Sequence, residues 1–123
     1  MTITKTEIRE KFVYFNEKFF ENKLAVPTIC FKNNKDGVVG KFRCWKDECR
    51  IYINRCIEWT EKDLDDVIVH EMIHYYISKI LNKNPLFSHG FLFRKIRRDI
   101  KKKGLKVHIR YNHLKYKKES RLS

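Results

Sequence analysis

Proline and glycine are scarce in this chain of 123 residues, which has two prolines and four glycines. That excludes collagen-like, Pro-rich and Gly-rich low-complexity classes and leaves few breakers to interrupt helices. No C-x-x-C pair occurs among the four cysteines, Cys30, Cys44, Cys49 and Cys56, and the Cys/His spacings fit no zinc-finger template. No apolar signal core follows the charged start Met1-Thr2-Ile3-Thr4-Lys5-Thr6-Glu7. No run approaches the ~18–20 apolar residues of a membrane span. These absences predict a cytoplasmic protein away from membranes, with reduced, mostly structural cysteines. Internal repeats and an interdomain linker are also lacking, and the length suits one domain with a modest core.

Acidic residues nearly vanish from the last quarter. Residues 94–123 hold 13 of the 28 Lys/Arg but only 2 of the 15 Asp/Glu, so most of the net charge of +13 sits there. Such a block meets nucleic acid, an anionic partner or only solvent.

What is present reads as α+β: a small three-stranded antiparallel sheet packed on about three helices. Thr4-Lys5-Thr6-Glu7 resembles a capping box, and Ile8, Phe12, Phe15 and Phe19 follow at helical spacing, predicting a helix over about 5–22. Residues 28–31, 38–45 and 50–54 are short and β-rich, separated by turn-like residues 33–37 and 46–48. Thr60 caps a second helix with Glu61, Asp63, Asp65 and Asp66 in its first turns. This helix is apolar on more than one face through Leu81, which predicts burial. Ser88 caps a third, with Phe91, Leu92, Ile96 and Ile100 at core spacing and Gly104 as its stop. A short strand over 105–109 and a frayed basic tail complete the reading.

His70-Glu71-Met72-Ile73-His74 lies in the middle of the second helix. Positions i and i+4 stand one above the other on a helix, so both imidazoles can reach one ion, with Glu71 angled toward it. This is the H-E-x-x-H arrangement, in which two imidazoles hold Zn²⁺ and the glutamate takes a proton from water. Burying a carboxylate and two imidazoles is costly unless something satisfies them, and a metal does. The competing reading is a pair of core histidines bonded to neighbours, with Glu71 solvated.

A catalytic zinc needs a third protein ligand. A metzincin extension would require Gly at 77 and His at 80, where both residues are Ile, and no Glu occurs between Met72 and Glu119. That leaves His89, Asp99, His108 and His113. His89 is favoured, because it follows the 82–86 turn at the start of the next helix, beside Gly90, which permits close backbone approach. Asp99 is the second choice, as a ligand or as support for a histidine. His108 and His113 read as surface residues. Tyr75, Tyr76 and Arg94 are candidates for oxyanion stabilisation.

With these residues in view, the chain resembles the SprT-like family of zincin metallopeptidases. The resemblance rests on His70-Glu71-Met72-Ile73-His74-Tyr75-Tyr76 followed by His89-Gly90-Phe91-Leu92-Phe93, on Phe15-Asn16-Glu17-Lys18-Phe19-Phe20 with Leu24, and on Gly40-Lys41-Phe42. It covers about residues 10–100. The resemblance implies a zincin-like minimal metallopeptidase domain over 1–110, with 111–123 as a basic C-terminal tail. It implies one catalytic Zn²⁺ held by His70, His74 and His89, with Glu71 as general base in peptide hydrolysis and protein or peptide as substrate. Some members of the family act on DNA-associated proteins, often with a C-terminal zinc ribbon. Residues 57–123 contain no cysteine, so no such ribbon forms from them.

Within residues 38–54 an edge strand can pair with an extended substrate. Arg94, Lys95, Arg97, Arg98, Lys101, Lys102 and Lys103 are candidates for DNA phosphate contact, against a reading as a solvated helix face. The alternative function is a nucleic-acid-binding module with a structural or vestigial zinc site.

Overall fold

The computed structural model describes residues 1–84 and 89–118. Helix α1 spans Lys5–Phe20, strand β1 Thr28–Lys32, strand β2 Gly40–Trp45 and strand β3 Glu48–Asn54. Helix α2 spans Glu61–Tyr75 and runs into a π-helical turn, Tyr76–Ile80, and helix α3 spans Phe91–Lys102. No helix among the described residues is long and apolar enough to cross a membrane.

Both expected N-caps form. The Thr4 hydroxyl accepts from the Glu7 N–H at 3.1 Å, and the Thr60 hydroxyl accepts from the Asp63 N–H at 3.1 Å. Each satisfies one of the orphan donors of a helix start. Helix α1 stops two residues earlier than the apolar spacing suggests, because Glu21 and Asn22 turn left-handed. Asn16 secures that exit: its Nδ2–H donates to the Leu24 carbonyl at 2.7 Å, and its Oδ1 accepts from the Leu24 N–H. The residue expected to cap α3, Ser88, lies outside the described residues, and Gly90 occupies the N-cap.

The sheet is mixed, not antiparallel. Its order is β1-β3-β2, with β3 antiparallel to β2 and parallel to β1. A tight turn at Lys46 and Asp47 forces the β2–β3 hairpin to be antiparallel. The longer connection over 33–39 carries the chain past the neighbouring position, so β3 inserts between β1 and β2. The insertion gives β3 the centre, where Ile51 and Ile53 are fully buried. Asn54 holds the 33–39 connection: its Nδ2–H₂ donates to the Asn34 and Val38 carbonyls, and its Oδ1 accepts from the Cys56 N–H.

Cysteine use also departs from the expectation of reduced thiols. Cys44 and Cys49 face each other across the hairpin and form a disulfide, while Cys30 and Cys56 are free. The expected strand over 105–109 does not form, although Val107 is buried. Residues 111–118, expected to fray, are tied down. Tyr116 bridges Ile57 in antiparallel fashion, with Glu58 N–H donating to the Lys115 carbonyl and Lys117 N–H to that of Cys56.

Helix α2 is the centre of the molecule. Leu64, Val67, Ile68, Met72 and Ile73 are all fully buried, which matches its apolar character on several faces. Helix α1 covers one side through Ile8, Phe12, Phe15 and Phe19, with Lys11 clamped by Glu61 at 2.6 Å and Asp65 at 2.7 Å. The sheet covers another side. Helix α3 adds Phe93 and Ile100, whereas Phe91, expected in the core, is 77% exposed.

Candidate metal centre

His70 and His74 project from adjacent turns of α2, with ring centroids 5.1 Å apart. His89, just before α3, brings its ring to 5.0 Å from each of them. One ring nitrogen from each of the three lies within 4.8 Å of the others, and His70 Nε2 is 3.1 Å from His89 Nε2. Three nitrogens on one tetrahedral ion at ~2.0–2.1 Å would stand roughly 3.3 Å apart, so little movement closes the set. Phe93, from the first turn of α3, lies 4.8 Å from all three imidazoles and forms their shared apolar support.

The tautomer of His70 suits a metal ligand. His70 Nδ1 is 2.8 Å from the His108 carbonyl oxygen. A carbonyl can only accept, so Nδ1 carries the proton and Nε2 turns its lone pair to the cluster. Burial pushes the His70 pKa down to about 3, against the pull of that carbonyl. Burial, then the neighbouring His89, pushes His74 down to about 4. His89 is also lowered, chiefly by burial, then by Arg94 and Arg110. Three neutral imidazoles are the form that binds metal.

Glu71 completes the arrangement. It is only 6% exposed, and its Oε2 lies 4.0 Å from His70 Nε2. Burial raises its pKa to about 8, opposed by the backbone N–H of Phe42 on β2. A buried carboxyl beside three neutral imidazoles is stabilised as a carboxylate by a cation placed among them, so the residues present fit a bound divalent metal.

The model for the SprT-like family matches residues 8–113. The chain belongs to the SprT-like family. No match is found among curated proteins.

In this SprT-like domain the remaining sequence candidates separate clearly. Asp99 is exposed on α3, away from the histidine cluster. His113 approaches Asp63, with Nε2 3.6 Å from Oδ1. The Tyr75 hydroxyl donates to the Ala25 carbonyl at 2.8 Å, and its ring stacks on Phe42 at 4.9 Å, so it serves the core. Tyr76 packs toward Phe20, and Arg94 Nε–H donates to the His89 carbonyl at 3.1 Å.

Arg94, Lys95, Arg98, Lys101, Lys102 and Lys103 are exposed. Arg97 is half-buried and donates to the Val107 carbonyl. Arg94, Arg97, Arg98, Lys101 and Lys106 line a hollow of about 290 Å³.

Three contributors escaped the sequence reading: Asp66, the His108 carbonyl and Tyr111. The available signal was that Asp66 stands four residues before His70, on the same face of α2.

Proposed function

We propose that this SprT-like domain is a zincin-type zinc metallopeptidase that hydrolyses peptide bonds. The observation that carries the reading is the buried Glu71 carboxyl beside three converging, neutral imidazoles. His70, His74 and His89 would hold the ion through one ring nitrogen each. When bound, Zn²⁺ supplies Lewis acidity and lowers the pKa of a water toward ~7. Glu71 would be the general base, its carboxylate accepting a proton from the water that attacks the peptide carbonyl and returning it to the departing amine.

The placement of β2 supports a peptide substrate. It is an outer strand of the sheet, and its Phe42 N–H reaches Glu71. An extended peptide paired along its open edge would lie next to the carboxylate.

The test is Glu71→Gln. It should retain zinc and lose about 10²–10⁴-fold in turnover. A variant that cleaves as fast as the wild type removes the base assignment.

The basic face of α3 favours a second reading, in which the domain contacts DNA and acts on proteins bound there or, without peptidase activity, serves as a binding module with a structural zinc. Phosphate contact predicts DNA affinity that falls steeply with salt. Affinity that stays constant between low and moderate salt argues against it.

A further inference from the structure

Asp66 is only 3% exposed, yet it makes three bonds to one short segment. Its Oδ1 accepts from the His108 backbone N–H at 2.9 Å and from the Tyr111 hydroxyl at 2.6 Å. Its Oδ2 accepts from His108 Nδ1 at 2.5 Å. The segment that it holds has no regular secondary structure, so side-chain bonds such as these determine where its carbonyls point. One of those carbonyls, that of His108, accepts from His70 Nδ1. The Tyr111 ring stands edge-on to His70 at 5.2 Å.

Asp66 and His70 occupy the same face of α2, one turn apart. A single helix therefore presents the metal ligand and the carboxylate that anchors the ligand's support. The bonds run from Asp66 to the His108 N–H, along that residue to its carbonyl, and on to His70 Nδ1. We infer that Asp66 is a positioning residue. Through the His108 backbone and Tyr111 it fixes the tautomer and aim of His70, and so sets the affinity of the centre for its metal. The inference rests on the metal-binding part of the function proposed above, but not on cleavage.

The natural measurement is Zn²⁺ affinity by competition with a chromophoric chelator, on the full chain. Asp66→Asn keeps the shape and removes the charged acceptor. It should bind Zn²⁺ about 10–100-fold more weakly than the wild type, the size of effect typical when a ligand's hydrogen-bond support is lost. Long-range ¹H–¹⁵N spectra of the metal-free protein give a readout that mere loss of stability would not move. In the wild type His70 should be protonated at Nδ1 alone, whereas Asp66→Asn should populate the Nε2–H form. Wild-type Zn²⁺ affinity together with an unchanged tautomer in Asp66→Asn overturns the proposal.

If Asp66→Asn does not fold, Tyr111→Phe and His108→Ala each delete one bond and leave the His108 carbonyl in place. A smaller loss of affinity in each supports the inference, and wild-type affinity in both overturns it. The peptidase reading fails separately, through a wild type that binds Zn²⁺ tightly but cleaves nothing. A wild type that binds no Zn²⁺ overturns both.

Discussion

Gly40 on β2 lies so close to Glu71 on α2 that a β-carbon at Gly40 would stand 3.3 Å from Glu71 Oε2. It would also stand 2.7 Å from Val67 Cγ1, closer than real β-carbons come. The absence of a side chain there lets the sheet settle onto the central helix beside the buried carboxyl. Gly40→Ala must therefore push strand and helix apart. Forcing a methyl into a packed interface costs about 1–3 kcal/mol, whereas the entropic gain from replacing glycine is about 0.4–1 kcal/mol. The variant should be less stable by on the order of 1 kcal/mol in urea unfolding, with the slope unchanged. It should also lose the proposed peptidase activity beyond what the unfolded fraction explains, because the shift acts at Glu71.

Asn54 is fully buried, and its side chain bonds three backbone groups, two from the 33–39 connection and one at Cys56. Asn54→Ala leaves the Asn34 and Val38 carbonyls and the Cys56 N–H without these partners. Leaving a buried polar group unmet costs about 1–3 kcal/mol. Asn34 and Val38 are exposed residues whose carbonyls water can meet, so a loss in the lower part of that range is expected from denaturant melts. Asn54→Asp should not rescue, since a carboxylate offers no donor to either carbonyl.

Metal-free stability should peak at a mildly acidic pH, for reasons whose signs oppose. His70 and His74 titrate at about 3 and about 4 in the fold, below their ordinary 6.5. The stability associated with keeping them neutral is present above pH 6.5 and is lost as the pH falls toward the folded values. Glu71 titrates at about 8, above its ordinary 4.5. Its contribution is present below pH 4.5 and is lost as the pH rises through 8. Two histidines against one glutamate place the balance at roughly pH 6–7. Thermal melts of the chelator-treated protein across pH 4–9 check this. Bound Zn²⁺ should flatten the alkaline side, because a nearby cation favours the Glu71 carboxylate. A metal-free optimum above pH 8 would contradict the burial assigned to Glu71.

How far these features were legible follows from how local their causes are. The caps at Thr4 and Thr60 and the pairing of His70 with His74 depend on residues three or four apart, and helical geometry alone places them. His89 was reachable because a short loop and a following helix leave it few directions. The sheet was not. Whether β1 pairs with β2 or with β3 depends on the whole 33–39 connection and on which strand best fills the core. The Cys44–Cys49 disulfide was hidden for a related reason. Its spacing matches no C-x-x-C pattern, and only the hairpin register puts the two opposite each other. The Asp66–His108 link spans 42 positions, so no local pattern announces it. Phe91 misled because its spacing fits the core face of α3, yet Phe93 takes the position beneath the histidines.

The histidine cluster makes the last prediction, on metal removal. With free Zn²⁺ at 100 times its dissociation constant, the folded state gains about 2.7 kcal/mol. For a chain of this size that is on the order of 10 °C in Tm. Chelation should reverse the shift, and added Zn²⁺ should restore it. His89→Ala leaves two imidazoles on one helix, too few for a firm site, and at the same Zn²⁺ concentration its shift should shrink to roughly 2 °C or less. Asp99→Ala provides the contrast, because Asp99 is exposed and stands apart from the cluster. It should keep the whole wild-type shift. If Asp99→Ala loses the shift and His89→Ala keeps it, the third ligand has been misplaced and the geometry of the three histidines has another cause.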